Sequence, residues 1–131
     1  MSTRARIAIA LPNGKFKSIY THWDGYPEHH APILLGHYAT QDKVKALMAL
    51  GDLSALREEI GEVHDFDQRG HNMCTAYGRD RGEKGVAAKT SVNFTTLAAL
   101  AHKWDAEYLY VFSDYHWQFV PVSWVTGRPL P

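Results

Sequence analysis

A chain of 131 residues with 45% hydrophobic and 21% charged content has the make-up of one globular domain, residues 1–131, large enough to bury a core without disulfides or metals. Fourteen Lys and Arg balance fourteen Asp and Glu, which removes the basic field that nucleic acid or an anionic membrane attracts and the acidic excess of a DNA mimic. Cys74 is the one cysteine, no apolar run approaches the roughly 18 residues of a membrane span, and the N-terminus lacks an apolar signal core, so the reading is a soluble protein of a reducing cytoplasm.

Residues 4–23 read as a β-hairpin around Asn13-Gly14, a pair that accepts positive φ at both positions of a tight turn. A two-residue turn sets Leu11 opposite Phe16, Ile9 opposite Ser18 and Ile7 opposite Tyr20, all on one core face. Arg6, Lys17 and Ile19 then lie on the other face, and His22 projects half-buried from the core face at the end of the sheet. Pro32 fits the first turn of a helix over about 31–38. Thr40 caps a second helix from Gln41 to Leu50, closed by Gly51, and Asp52 caps a third through Leu53, Leu56 and Ile60.

Residues 61–72 are polar and read as a loop, followed by a strand over 73–78 and a loop of alternating charge over 79–85. Asn93 caps a helix to Trp104, with Phe94, Leu97, Leu100, Ala101 and Trp104 at helical spacing. A second hairpin over 107–122 turns near Ser113 to His116. It sets Tyr108, Tyr110, Phe112, Trp117 and Phe119 on one face and Leu109, Val111 and Val120 on the other, which suits strands covered on both sides. The tail 126–131 reads as irregular. The fold class predicted is α+β, with a mostly antiparallel sheet of roughly five strands and helices packed on one face.

The densest chemistry lies between the first hairpin and the first helix. Residues 20–30 hold Tyr20, Trp23 and Tyr26, the imidazoles of His22, His29 and His30, the carboxylates of Asp24 and Glu28, and Gly25. Imidazole and carboxylate are divalent-metal ligands, and His64, Asp65 and Asp67 would be further donors if the fold brought them near His22 and Asp24. The spacing does not force such a site. Turn chemistry is the simpler use, with Asp24 accepting the N–H groups of Tyr26 and Glu28 and Gly25 supplying the unusual φ. No metal and no cofactor is expected. An imidazole oriented by Tyr20 and Asp24 would suit acid–base work, but no activated serine accompanies it. Cys74 has His71 three residues away, yet a strand over 73–77 buries the thiol. Arg79, Arg81 and Lys84 suggest a phosphate grip that Asp80 and Glu83 neutralise, which leaves a docking loop of mixed sign.

The runs Ile19-Tyr-Thr-His-Trp-Asp-Gly-Tyr-Pro-Glu28, Ile33-Leu-Leu-Gly-His-Tyr38, Tyr77-Gly-Arg-Asp-Arg-Gly-Glu83 and Glu107-Tyr-Leu-Tyr-Val-Phe112 resemble a group of small proteins encoded by bacteriophages and prophages, over about residues 4–120. The resemblance implies an accessory factor of the host-cell cytoplasm that binds a host protein or complex, as inhibitors of host defence such as anti-CRISPR proteins do. It supplies no catalytic residues. The expected partner surface joins His22, Trp23, Asp24, Tyr26, His29 and His30 of the junction to Arg79, Asp80, Arg81, Glu83 and Lys84 of the charged loop. The alternative is a small metal-dependent hydrolase working through His22, Asp24, His64, Asp65 and Asp67.

Overall fold

In a computed structural model, residues 2–68 and 72–126 are described. Strand β1 (Ala5–Ala10) leads through a 3-10 turn at Pro12–Gly14 into β2 (Phe16–Thr21). Asn13 and Gly14 both take positive φ, at 70° and 75°, as the sequence requires. The turn is longer than two residues, because Pro12 fixes a helical φ and starts a 3-10 turn, with Leu11 N–H donating to Lys15 O across it at 2.8 Å. The register therefore moves by one from the expected one, to Ile7 opposite Ile19, Ile9 opposite Lys17 and Ala10 opposite Phe16. A one-residue slip exchanges faces. Ile19 joins Ile7 and Ile9, while Phe16 and Tyr20 cross to the face of Arg6 and Ala8.

Helix α1 (Pro27–His37) begins four residues before the expected start. Pro27, not Pro32, takes the first helical position, so His29 and His30 fall in the opening turn. Helix α2 (Gln41–Leu50) follows as predicted, with Thr40 Oγ1 accepting from Lys43 N–H and Gly51 ending it at φ 75°.

The helix predicted after Asp52 is instead β3 (Leu53–Ala55). The Asp52 carboxylate accepts the Tyr20 N–H at 2.9 Å rather than capping a helix, and Leu53 O and Ser54 O receive His22 N–H and Trp23 N–H, each at 3.1 Å. Leu53 and Leu56 are both fully buried at helical spacing, which is why the segment imitates a helix. The strand predicted over 73–78 is reduced to β4 (Thr75–Ala76), and the predicted loop begins as a short helix, α3 (Tyr77–Arg81). A polar strand, β5 (Lys89–Ser91), was not foreseen. Helix α4 (Phe94–Lys103) is capped by Asn93 as predicted, Oδ1 accepting from Thr96 N–H at 2.8 Å. Strands β6 (Tyr108–Ser113) and β7 (His116–Pro121) form the second hairpin, and α5 (Val122–Thr126) closes the described chain. The tail 127–131 and His71 lie outside the described residues.

The fold is α+β, but among the described residues its sheet has seven strands and is mixed, not mostly antiparallel with five. The order is β4-β3-β2-β1-β6-β7, with β5 also paired to β2. Two pairings are parallel, β1 with β6 and β2 with β3, because the two hairpins meet through their first strands and β3 returns alongside β2. Helices cover both faces rather than one. On one side Ile7, Ile9, Ile19, Tyr110 and Phe112 pack with Leu34, Val44 and Leu47 of α1 and α2. On the other, Ala8 and Leu109 pack with Leu97 and Ala101 of α4 and Val122 of α5. The alternation read in 107–122 matches this, with Tyr110 and Phe112 facing one core and Leu109 the other.

Arg6 occupies the α4 side and is 1% exposed, although it was read as lying on the face opposite the core. Its Nε donates to Ser18 Oγ at 2.8 Å, while Nη1 and Nη2 find no hydrogen-bond partner among the described residues. Burial lowers its pKa to about 10 despite the Asp52 charge.

Candidate functional site

Beyond Thr21 the backbone continues along β3 for two residues and then turns at Asp24, whose φ of 58° is left-handed. The unusual φ predicted for Gly25 thus belongs to Asp24. Gly25 is needed for a close approach, since its N–H reaches Thr3 O at 2.8 Å and a Cβ there would stand 2.7 Å from Ala5 Cβ. The Asp24 carboxylate accepts from the Tyr26 hydroxyl at 3.4 Å, in place of the predicted turn.

The first turn of α1 then directs His29 and His30 into a hydrogen-bonded line. Arg57 Nη1 lies 3.2 Å from His29 Nε2, His29 Nδ1 lies 2.9 Å from His30 Nδ1, and His30 Nε2 lies 3.0 Å from Thr21 Oγ1. Guanidinium can only donate, and that fixes every proton along the line. His29 accepts at Nε2 and donates from Nδ1, His30 accepts at Nδ1 and donates from Nε2, and the Thr21 hydroxyl donates to Ala5 O at 3.4 Å. Both imidazoles are neutral in this arrangement. Burial, then the neighbouring His29 and Arg57, hold His30 down to about 3, and burial with Arg57 lowers His29. His30 is fully buried against the Tyr110 ring, whose hydroxyl donates to Gly25 O at 2.7 Å. The paired histidines therefore lock the junction to the sheet. Nothing in the local sequence links Arg57 or Tyr110 to them, because both arrive through the tertiary fold.

His22 is half-buried, as predicted, and shares a face with Tyr20, but on the α4 side. Burial pushes the Tyr20 hydroxyl up to about 12, so it stays protonated, and it shares a hydrogen bond with His22 Nδ1 at 2.8 Å. The His22 ring meets Trp23 edge-on at 4.7 Å. Between Tyr20 and the 83–86 segment lies a cleft of about 360 Å³, lined by Tyr20, Asp52, Tyr77, Glu83, Lys84, Gly85, Val86 and Trp104. Burial pushes the Asp52 carboxyl up, and Lys89 Nζ sits 5.3 Å from the Trp104 ring. Asp52, Tyr77 and Trp104 were not singled out in the sequence. Asp52 was hidden by its apparent role as a helix cap.

The charged segment divides into an inner and an outer half. Arg79 reaches Asp80 at 3.0 Å and donates to Ile60 O and Cys74 O at 2.8 and 2.7 Å. Asp80, with a fully buried side chain, also accepts Ala76 N–H and His64 N–H at 2.8 and 3.1 Å. Burial opposes its charge, yet Arg79 and these N–H groups prevail and hold it below the usual carboxylate range. Arg79 and Asp80 are thus turned inward. Arg81, stacked on Phe66 and Tyr77 and bonded to Glu83 at 2.9 Å, stays exposed with Glu83 and Lys84.

His64 donates to Glu62 O and accepts from Thr75 Oγ1, and Asp65 accepts Asp67 N–H at 3.0 Å, so this cluster closes its own loop. Among the described residues, no group of three or more His, Cys, Asp or Glu is placed to hold a metal ion. Cys74 is buried, which pushes its thiol up, and its sulfur contacts Arg57 N and the Tyr38 hydroxyl. No helix among the described residues is long and apolar enough to cross a membrane. No protein-family model, no curated protein and no solved structure matches this chain.

Proposed function

We propose that the protein acts by stoichiometric binding to a host protein, as a phage-type accessory factor of the kind that inhibits host defence, anti-CRISPR proteins being the model. The binding surface runs from His22, Trp23, Asp24 and Tyr26 across the Tyr20–Trp104 cleft to Arg81, Glu83 and Lys84. One observation carries the reading. His29, His30, Arg57, His64, Asp65, Arg79 and Asp80 are engaged with one another or with backbone, and His22 and Asp24 with the hydroxyls of Tyr20 and Tyr26, while Tyr20 of the junction and Glu83 and Lys84 of the charged loop border one cleft. Aromatic and Arg side chains beside a cleft suit protein recognition. The resemblance of the His-Trp-Asp-Gly-Tyr-Pro run to phage-encoded proteins supplies the partner class.

The test is capture from bacterial lysate on the immobilised protein, with mass spectrometry, followed by titration of the captured target. Saturation at one chain per target is expected, with capture lost in Trp23→Ala and Lys84→Glu. Turnover of a large excess of target by a trace of protein would defeat the binding reading and return His22 and Asp24 to consideration as catalytic groups.

A further inference from the structure

The sheet has unequal edges. At one end β4 has only two residues, and β5, paired to the flank of β2, has three and carries Lys89. Short strands, edge lysines and edge prolines are the usual guards against edge pairing, and β7 has only the proline at its last position, Pro121. At the other end β7 runs six residues with an unbroken register against β6 and holds no Lys, Arg, Asp or Glu. Phe119 at its centre is 50% exposed.

The backbone that β7 presents follows from its turn. Asp114 and Tyr115 both take positive φ, 51° and 66°, giving a two-residue turn of the type that closes Ser113 and His116 as a hydrogen-bonded pair. Alternation then bonds His116, Gln118 and Val120 to β6 and leaves the N–H and C=O groups of Trp117 and Phe119, and the C=O of Pro121, facing outward.

From this we infer that β7 is a homodimer interface, pairing antiparallel with β7 of a second copy about a two-fold axis through Phe119. In that register Phe119 exchanges two hydrogen bonds with Phe119 of the partner subunit. Each Trp117 N–H meets the C=O of Pro121 of the partner subunit. The missing Pro121 N–H forfeits only the bond to the Trp117 carbonyl opposite. Self-pairing fits this edge because it has no formal charge to repel its own copy, and fourteen cationic and fourteen anionic side chains leave the chains without long-range repulsion. The contact is isologous and closes at two subunits.

Sedimentation of the full chain across the micromolar range should give twice the 14.8 kDa chain mass. Phe119→Lys, checked for folding by circular dichroism, should halve it. Phe119→Cys treated with a short bis-maleimide should cross-link to the dimer mass, whereas the wild type, with Cys74 buried, should not. A wild-type monomer throughout the range overturns the inference. So does a dimer that survives Phe119→Lys in a folded protein. If Phe119→Lys does not fold, failure of Phe119→Cys to cross-link overturns it.

Discussion

His29 and His30 face each other Nδ1 to Nδ1 at 2.9 Å, a contact that holds one proton between two rings. Arg57 donates to His29 on one side, and Thr21 lies against His30 on the other. Acid should therefore unfold the protein through this pair. Below pH 6.5 the unfolded chain takes up a proton that folded His30 refuses until about pH 3, so stability falls across that window as pH drops. The slope approaches about 1.4 kcal/mol per pH unit for each histidine that is protonated in the unfolded chain and unprotonated in the fold. Asp80 adds acid sensitivity only below 3.8, and Asp52, raised by burial, acts in the opposite direction. Urea melts between pH 7.5 and 4 should show the loss, and His30→Gln should flatten it.

Arg57 orders the tautomers and adds a positive charge beside His29. In Arg57→Met the burial of His29 remains but the charge and the donor are gone. His29 should then titrate at higher pH than in the wild type, read from imidazole resonances by NMR. An unchanged midpoint would mean that burial alone holds His29 neutral.

Arg79 and Arg81 lie two residues apart and should respond in opposite ways. Arg79→Glu would place a carboxylate beside the buried Asp80 and strand the carbonyls of Ile60 and Cys74, a change of the kind that costs about 3–5 kcal/mol. Arg81→Glu is exposed and gives up only surface contacts with Phe66, Tyr77 and Glu83, each worth about 1 kcal/mol or less, so it should cost clearly less than Arg79→Glu. Thermal melts of the two variants side by side decide it, and equal melting points would contradict the inward placement of Arg79.

Gly25 and Asp24 exchange the roles that a turn rule assigns them. Gly25→Ala should destabilise by roughly 1–3 kcal/mol, because its methyl collides with Ala5 Cβ and Thr3 O. Asp24→Gly relieves the left-handed φ and gives up only the Tyr26 contact, so its melting point should move far less.

Arg6 is buried with two nitrogens unpartnered among the described residues, so Arg6→Met, which keeps the stem and removes an incompletely paired buried charge, should be neutral or stabilising. Denaturant midpoints check this. A large loss would show that Arg6 and Asp52 act as an indispensable pair.

What the sequence determined by itself is local. The caps at Thr40 and Asn93, the positive φ at Asn13 and Gly14, the stop at Gly51 and the two-faced alternation of 107–122 are fixed by the chemistry of a few neighbouring residues. The tertiary structure decided what depends on partners distant in the chain. Asp52 became a ligand for the Tyr20 backbone instead of a helix cap, and Leu53–Ala55 became a strand because β2 offered it hydrogen bonds. One extra residue in the Pro12–Gly14 turn moved Tyr20 and His22 to the other face. The junction was visible as a cluster of residue types, but its order was not, because the donor that sets both tautomers comes from Arg57, 28 positions beyond His29. Propensity acts over a few residues, whereas burial and proton placement are set by whichever distant groups the fold brings into contact.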